Sequence, residues 1–194
     1  MRAAGYADLV MSAIISMLRG VNLGGHNKIN MGELRIVCET LGLEEPKTFI
    51  NSGNVVFRSK EKDLTRLGKR IEDAIERKFG FHSDVILRTA SEMRDVIRKN
   101  PFAKRRGIEP SKLLVMFLAA HPEPETRERL EKIEAHPEVV RLEGRDLYIY
   151  FPDGQGRSKL TPALGRILKN TGTGRNWNTV TKLLAMAESL EKSK

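Results

Sequence analysis

Along this chain the apolar positions alternate between a spacing of two and one near 3.6 residues, and the resulting order of strand and helix signals occurs twice. Ala13-Ile-Ile-Ser-Met-Leu18 is a short apolar run of the kind that forms a central strand. Asn30 with Glu33 three residues on has the spacing of a capping box; Met31, Leu34, Cys38 and Leu41 follow on one face, and Gly42 stands where a helix ends. Thr48-Phe-Ile50 and Val55-Val-Phe-Arg58 flank Asn51-Ser-Gly-Asn54, which predicts a hairpin. Leu64, Leu67, Ile71, Ile75 and Phe79 make a helical stripe closed by Gly80, Asp84 to Arg88 a further strand, and Thr89 with Glu92 the start of another helix carrying Met93, Val96 and Ile97.

Asn100-Pro101 stops that helix, and the polar Lys104-Arg-Arg-Gly107 places the boundary between halves at about residues 100–111. The second half repeats the plan in weaker form. Lys112 to Ala119 reads as a strand, Pro124 opens a helix with Leu130 and Ile133 inward, and Val139–Glu143 pairs with Asp146–Phe151 as a hairpin. A short helix spans Leu160–Leu168, and Asn178 is the expected cap of a last helix striped by Val180, Leu183, Leu184, Ala187 and Leu190. The pattern predicts an α+β protein of two related ferredoxin-like βαββ-type subdomains, residues 11–99 and 112–194, with helices packed on antiparallel sheets. Met1 to Val10 show no period and read as an extension ahead of Met11.

At 194 residues and 40% hydrophobic content the chain buries a core of its own. A formal charge of +9 favours anionic neighbours, such as a phosphorylated small molecule or nucleic acid, although many of the Lys and Arg interleave with Glu on predicted helices, as between Arg66 and Lys78. Cys38 is the lone cysteine and falls on an apolar helix face, so it reads as a buried small hydrophobe in a chain without a disulfide, which fits the cytoplasm. The apolar run Val10 to Leu18 is too short for a membrane span and lacks the pattern of a signal peptide.

Four polar, glycine-punctuated segments carry the specific chemistry: Leu18-Arg-Gly-Val-Asn-Leu-Gly-Gly-His-Asn-Lys28, Asn51-Ser-Gly-Asn54, Phe151-Pro-Asp-Gly-Gln-Gly-Arg-Ser-Lys159 and Thr171-Gly-Thr-Gly-Arg-Asn-Trp-Asn178. Each follows or joins a strand, and glycine opens backbone N–H groups beside Arg, Lys and Asn, which is the composition of an anion site; the competing reading is ordinary turn chemistry. His26-Asn27 stands where a Walker loop requires Lys-Ser/Thr, and Gly154-Gln-Gly156 lacks the third glycine of a dinucleotide site. The candidate ligand set is Arg19, Asn22, Lys28, Ser52, Asn54, Arg157, Lys159, Arg175 and Asn178, converging in a cleft between the halves. Trp177 either anchors the last helix or stacks on a base. The four histidines show no metal-ligand spacing, leaving His26 and Asp153 as candidates for acid–base work. No cofactor signature is present, and no Gly-x-Ser-x-Gly elbow surrounds Ser52 or Ser158.

These same words resemble a largely bacterial family, the domain of unknown function 1697. The matching stretches are Leu18 to Ile29, Phe49-Ile-Asn-Ser-Gly-Asn-Val-Val-Phe57, Asn100-Pro-Phe102, Phe151 to Leu160 and Arg175-Asn-Trp-Asn-Thr-Val-Thr-Lys-Leu183, and the chain departs from the pattern at His26. The resemblance implies two related α+β subdomains and supplies no activity. Three functions remain open: binding of a phosphate-bearing or other anionic ligand, nucleic-acid binding through antiparallel sheets of the RNA-recognition kind, or an enzyme acting on a phosphorylated small molecule.

Overall fold

The computed structural model describes residues 11–169 and 171–192, with the Arg157 side chain and the leading segment Met1–Val10 outside that description. Two four-stranded antiparallel sheets carry six helices. In the first half β1 (Ser12–Leu18), α1 (Met31–Thr40), β2 (Glu44–Phe49), β3 (Asn54–Ser59), α2 (Leu64–Phe79), β4 (Val85–Thr89) and α3 (Ala90–Arg98) follow in order, and the sheet runs β2-β3-β1-β4. The second half repeats this with β5 (Leu113–Leu118), α4 (Pro124–Glu131), β6 (Val139–Glu143), β7 (Asp146–Tyr150), α5 (Leu160–Ile167), β8 (Gly172–Asn176) and α6 (Trp177–Lys192), in sheet order β6-β7-β5-β8.

Alternation along each strand sorts the side chains into three cores. Ile14 and Leu18 of β1, Val55 and Phe57 of β3 and Leu87 of β4 point to one face, where Leu34 and Cys38 of α1 and Leu67, Ile71 and Ile75 of α2 cover them. Leu147 and Ile149 of β7 meet Leu130 of α4 and Leu160 and Leu164 of α5 on the far side of the second sheet. The remaining faces of both sheets look toward each other: Ala13, Ile15 and Met17 join Leu113, Val115, Phe117 and Tyr148 across a middle layer formed by Met93 and Val96 of α3 and Val180, Leu183, Ala187 and Leu190 of α6. The layers therefore run α, β, α, β, α, and both faces of each sheet are covered.

Local signals set most element ends. The Asn30 side chain accepts from Gly32 N and Glu33 N, at 2.8 and 3.2 Å, while Glu33 turns to Lys78 instead of closing a reciprocal box. At α3 the reciprocal box is complete, with Glu92 N donating to Thr89 Oγ1 at 3.1 Å and Thr89 N donating to Glu92 Oε2 at 2.8 Å, an arrangement worth about 1 kcal/mol. The last helix differs from expectation: its cap is Asn176, whose Oδ1 accepts from Asn178 N at 3.0 Å, and Asn178 already lies inside the first turn. A strand the sequence pattern does not mark lies within the polar segment Thr171 to Asn178. Gly172–Asn176 is the edge strand β8, paired with β5 from Leu118↔Gly172 to Leu114↔Asn176. Ile50, expected at the end of a strand, sits in the β2–β3 turn with φ +48.

Candidate functional site

Arg175 is the residue around which three of the four polar segments assemble. It is the fourth residue of β8, opposite Val115, and its side chain crosses into the first half. Nε donates to Asn54 Oδ1 at 2.5 Å, Nη1 to Thr173 Oγ1 at 2.8 Å and Gly174 O at 2.9 Å, and Nη2 to Leu18 O at 2.7 Å and Ser52 O at 3.0 Å. Five acceptors thus meet the five N–H groups of the guanidinium. Burial pulls its pKa down to about 10, so it stays protonated at neutral pH, 7% exposed and, among the described residues, without a carboxylate partner. Arg175 and Asn54 are therefore interior ties between the halves, and the space expected as an open cleft there is packed core.

A counterpart stands in the first half. Arg88 is the fourth residue of β4, opposite Ile15, and crosses the other way: Nη2 donates to Leu118 O at 2.9 Å and Asp146 Oδ1 at 3.0 Å. Leu18 and Leu118 end the first strands of the two halves, and Asn54 and Asp146 begin the third, so the two ties match position by position. They differ in chemistry. Arg88 faces a carboxylate, has no acceptor at Nε and lies over the Phe117 ring at 5.5 Å; burial depresses its pKa against the opposing pull of Asp146.

The first segment folds into a loop pinned by Asn22. Its Nδ2 donates to Ile29 O at 3.0 Å and Asn51 O at 2.9 Å, its Oδ1 accepts from Ile29 N at 2.9 Å, and its φ of +55 is a turn that asparagine tolerates. Between this loop, the entry to α1 and the β2–β3 turn lies a pocket of about 470 Å³ lined by Asn22, Gly25, Lys28, Ile29, Asn30, Met31 and Asn51. The lining holds one cation, three amides and no carboxylate. Lys28 is exposed and, among the described residues, has no hydrogen bond or ion pair; the Nδ2 groups of Asn30 and Asn51 also lack acceptors. The helix end itself offers less than the sequence suggests, because Asn30 already occupies the Gly32 and Glu33 amides.

The other candidates fall elsewhere. Arg19 is drawn from the pocket by Asp84, at 2.7 Å; burial raises the Asp84 pKa, but the bonds from Arg19 and His82 outweigh it and leave the carboxyl below its ordinary range. Ser52 Oγ accepts from Asn54 Nδ2 at 2.8 Å. Lys159 and Asn178 are exposed and absent from the pocket lining, as is His26. Asp153 is exposed in the third segment, near Lys112. Cys38 is buried, and burial, with Glu39 adding to it, pushes its thiol up to about 12.

Two covered sheets joined by crossing arginines, with one open polar loop, define an α+β protein of two matched halves. The chain belongs to the family described as Protein of unknown function (DUF1697), whose model matches residues 11–148. It is similar in fold to the conserved bacterial protein SP0830 from Streptococcus pneumoniae, with a TM-score of 0.74 and 23% sequence identity over 92% of this chain and 99% of that one. No curated protein matches the sequence. No helix among the described residues is long and apolar enough to cross a membrane.

Proposed function

We propose that the protein binds a small phosphate-bearing or similarly anionic ligand in the loop pocket at the entry to α1. The observation that carries this reading is the pocket's lining: an ammonium and two side-chain amides without partners, and no carboxylate to repel an anion. The positive end of α1 adds a favourable ~0.3–1 kcal/mol. Lys28 and Asn51 of the expected polar segments meet there with Asn22, while Arg175 and Asn54 brace the turn from beneath. Each half fits a ferredoxin-like unit in its strand order, and a lone buried thiol fits a reducing, cytoplasmic setting.

Thermal unfolding in the presence of inorganic phosphate, a nucleoside monophosphate and a hexose phosphate tests the proposal. A ligand at about 100 times its Kd adds about 2.7 kcal/mol, a rise of roughly 5–10 °C for a protein of this size. Lys28→Ala should remove most of that rise and leave the unliganded Tm in place, because the side chain is exposed and unpartnered. An undiminished rise in the variant, or no rise with any of the three probes, refutes the assignment.

A further inference from the structure

Carboxylates are missing from two stretches of this basic chain. Between Asp153 and Glu188 it carries six cations and no acid, and from Lys99 to Ile108 four cations and none. Elsewhere acids are interspersed and many cations pair with them: Lys69 with Asp73, Lys78 with Glu33, Arg94 with Glu188 and Glu191, Arg127 with Glu131, Lys132 with Glu128. Lys104, Arg105, Arg106, Lys159 and Lys182 are all exposed and have no carboxylate partner among the described residues.

The fold brings these two stretches to one end of the second sheet, around the single helical turn Pro110–Lys112. Tyr150 Oη donates to Gly107 O at 3.1 Å and its ring meets that of Phe102 at 6.1 Å, which ties the Lys104–Arg106 loop to the end of β7. Phe151 N donates to Lys112 O at 2.9 Å, anchoring the third segment at the same turn, and α5 starts from that segment at Lys159. Asn176 Nδ2 donates to Ser111 O at 2.7 Å, placing Trp177 and the first turns of α6, with Lys182, beside it. Acids border the surface at Glu109, paired with Lys112 at 2.7 Å, at Asp153, and at Glu138, which precedes β6 beside the pair Val139↔Tyr150. Trp177 and Tyr150 are half-buried, each packed on the central core with part of its surface open.

From this juxtaposition we propose that the basic end of the second half binds single-stranded nucleic acid, its phosphates along Lys104, Arg105, Arg106, Lys159 and Lys182 and a base against the open part of Trp177. Cations not paired with a carboxylate, next to half-exposed aromatics, are the combination that holds a single strand, since phosphates supply the attraction and every base presents a face for stacking. Recognition on a sheet face, as in RNA-recognition folds, is excluded here because helices cover both faces of both sheets. This surface is separate from the loop pocket and does not depend on it.

Trp177 is the only tryptophan, so its emission reports the contact directly. Titration with fluorescein-labelled oligodeoxythymidine of about twenty nucleotides should quench that emission and raise the label's anisotropy, with affinity falling steeply as KCl increases. The triple variant K104A/R105A/R106A removes three phosphate contacts and should flatten the slope of log K against log salt by about 2. Circular dichroism of that variant should match the unsubstituted protein, as all three side chains are exposed on a loop. Lys28→Ala should bind the oligonucleotide normally, which separates this test from that of the loop pocket. Absence of binding at low salt, an unchanged slope in the triple variant, or equal competition by polyglutamate without quenching of Trp177 overturns the proposal.

Discussion

Five acceptors and no carboxylate around the Arg175 guanidinium make it a tie whose worth depends on every partner being present. Arg175→Met keeps much of the volume but leaves Asn54 Oδ1 buried without a donor, takes the guanidinium donor from the part-buried Ser52 carbonyl and leaves Leu18 O only the Thr173 hydroxyl. The expected cost is about 3 kcal/mol or more, a Tm lower by roughly 6–12 °C; a urea midpoint within error of the unsubstituted protein contradicts the role. Sequence pattern marked Arg175, Asn54 and Ser52 as residues that belong together, and they do meet. The burial of Arg175 and Asn54 is illegible, because an arginine between glycines and an asparagine reads the same whether its acceptors come from a ligand or from the chain's own carbonyls. The matching tie at Arg88 leaves no mark in the pattern for a related reason: it ends an apolar run and carries no glycine beside it.

Helices were the most legible elements, since their stripes and caps are local: Asn30, Thr89, Gly42 and Gly80 each stand where the structure uses them. Strand β8 was not legible, because Gly172-Thr-Gly-Arg-Asn176 has the composition of a loop. Its glycines answer a long-range demand. A Cβ on Gly172 would lie 2.9 Å from Met116 Cγ and 3.1 Å from Phe117 O, and one on Gly174 3.2 Å from Leu114 Cδ2, so β8 reaches β5 only because side chains are missing. Gly172→Val, which raises strand propensity, should therefore destabilise the protein by about 1–3 kcal/mol through overpacking. Guanidinium unfolding of the variant at or above the unsubstituted midpoint would show that propensity outweighs the close approach.

At the scale of the molecule the question is whether the two repeats are two folding units or one. Among the described residues the central core takes nine buried side chains from each half, from Ala13 to Phe102 on one side and from Leu113 to Leu190 on the other. Helix α6, at the end of the second half, supplies Val180, Leu183 and Ala187 to a layer that also covers β1 and β3, and the crossing arginines fasten each half to the end of the other's first strand. Unfolding either half alone would expose the inner face of the other sheet and strip a buried guanidinium of its acceptors, a cost no single half recovers. The chain should thus unfold in one transition. Far-ultraviolet circular dichroism, which reports helices throughout, and Trp177 emission, which reports the central layer, should give coincident urea curves. Curves that separate, with Trp177 changing first, would mean that the second half lets go while the first stands, and that the shared layer contributes less to the first half than its own core beneath α1 and α2.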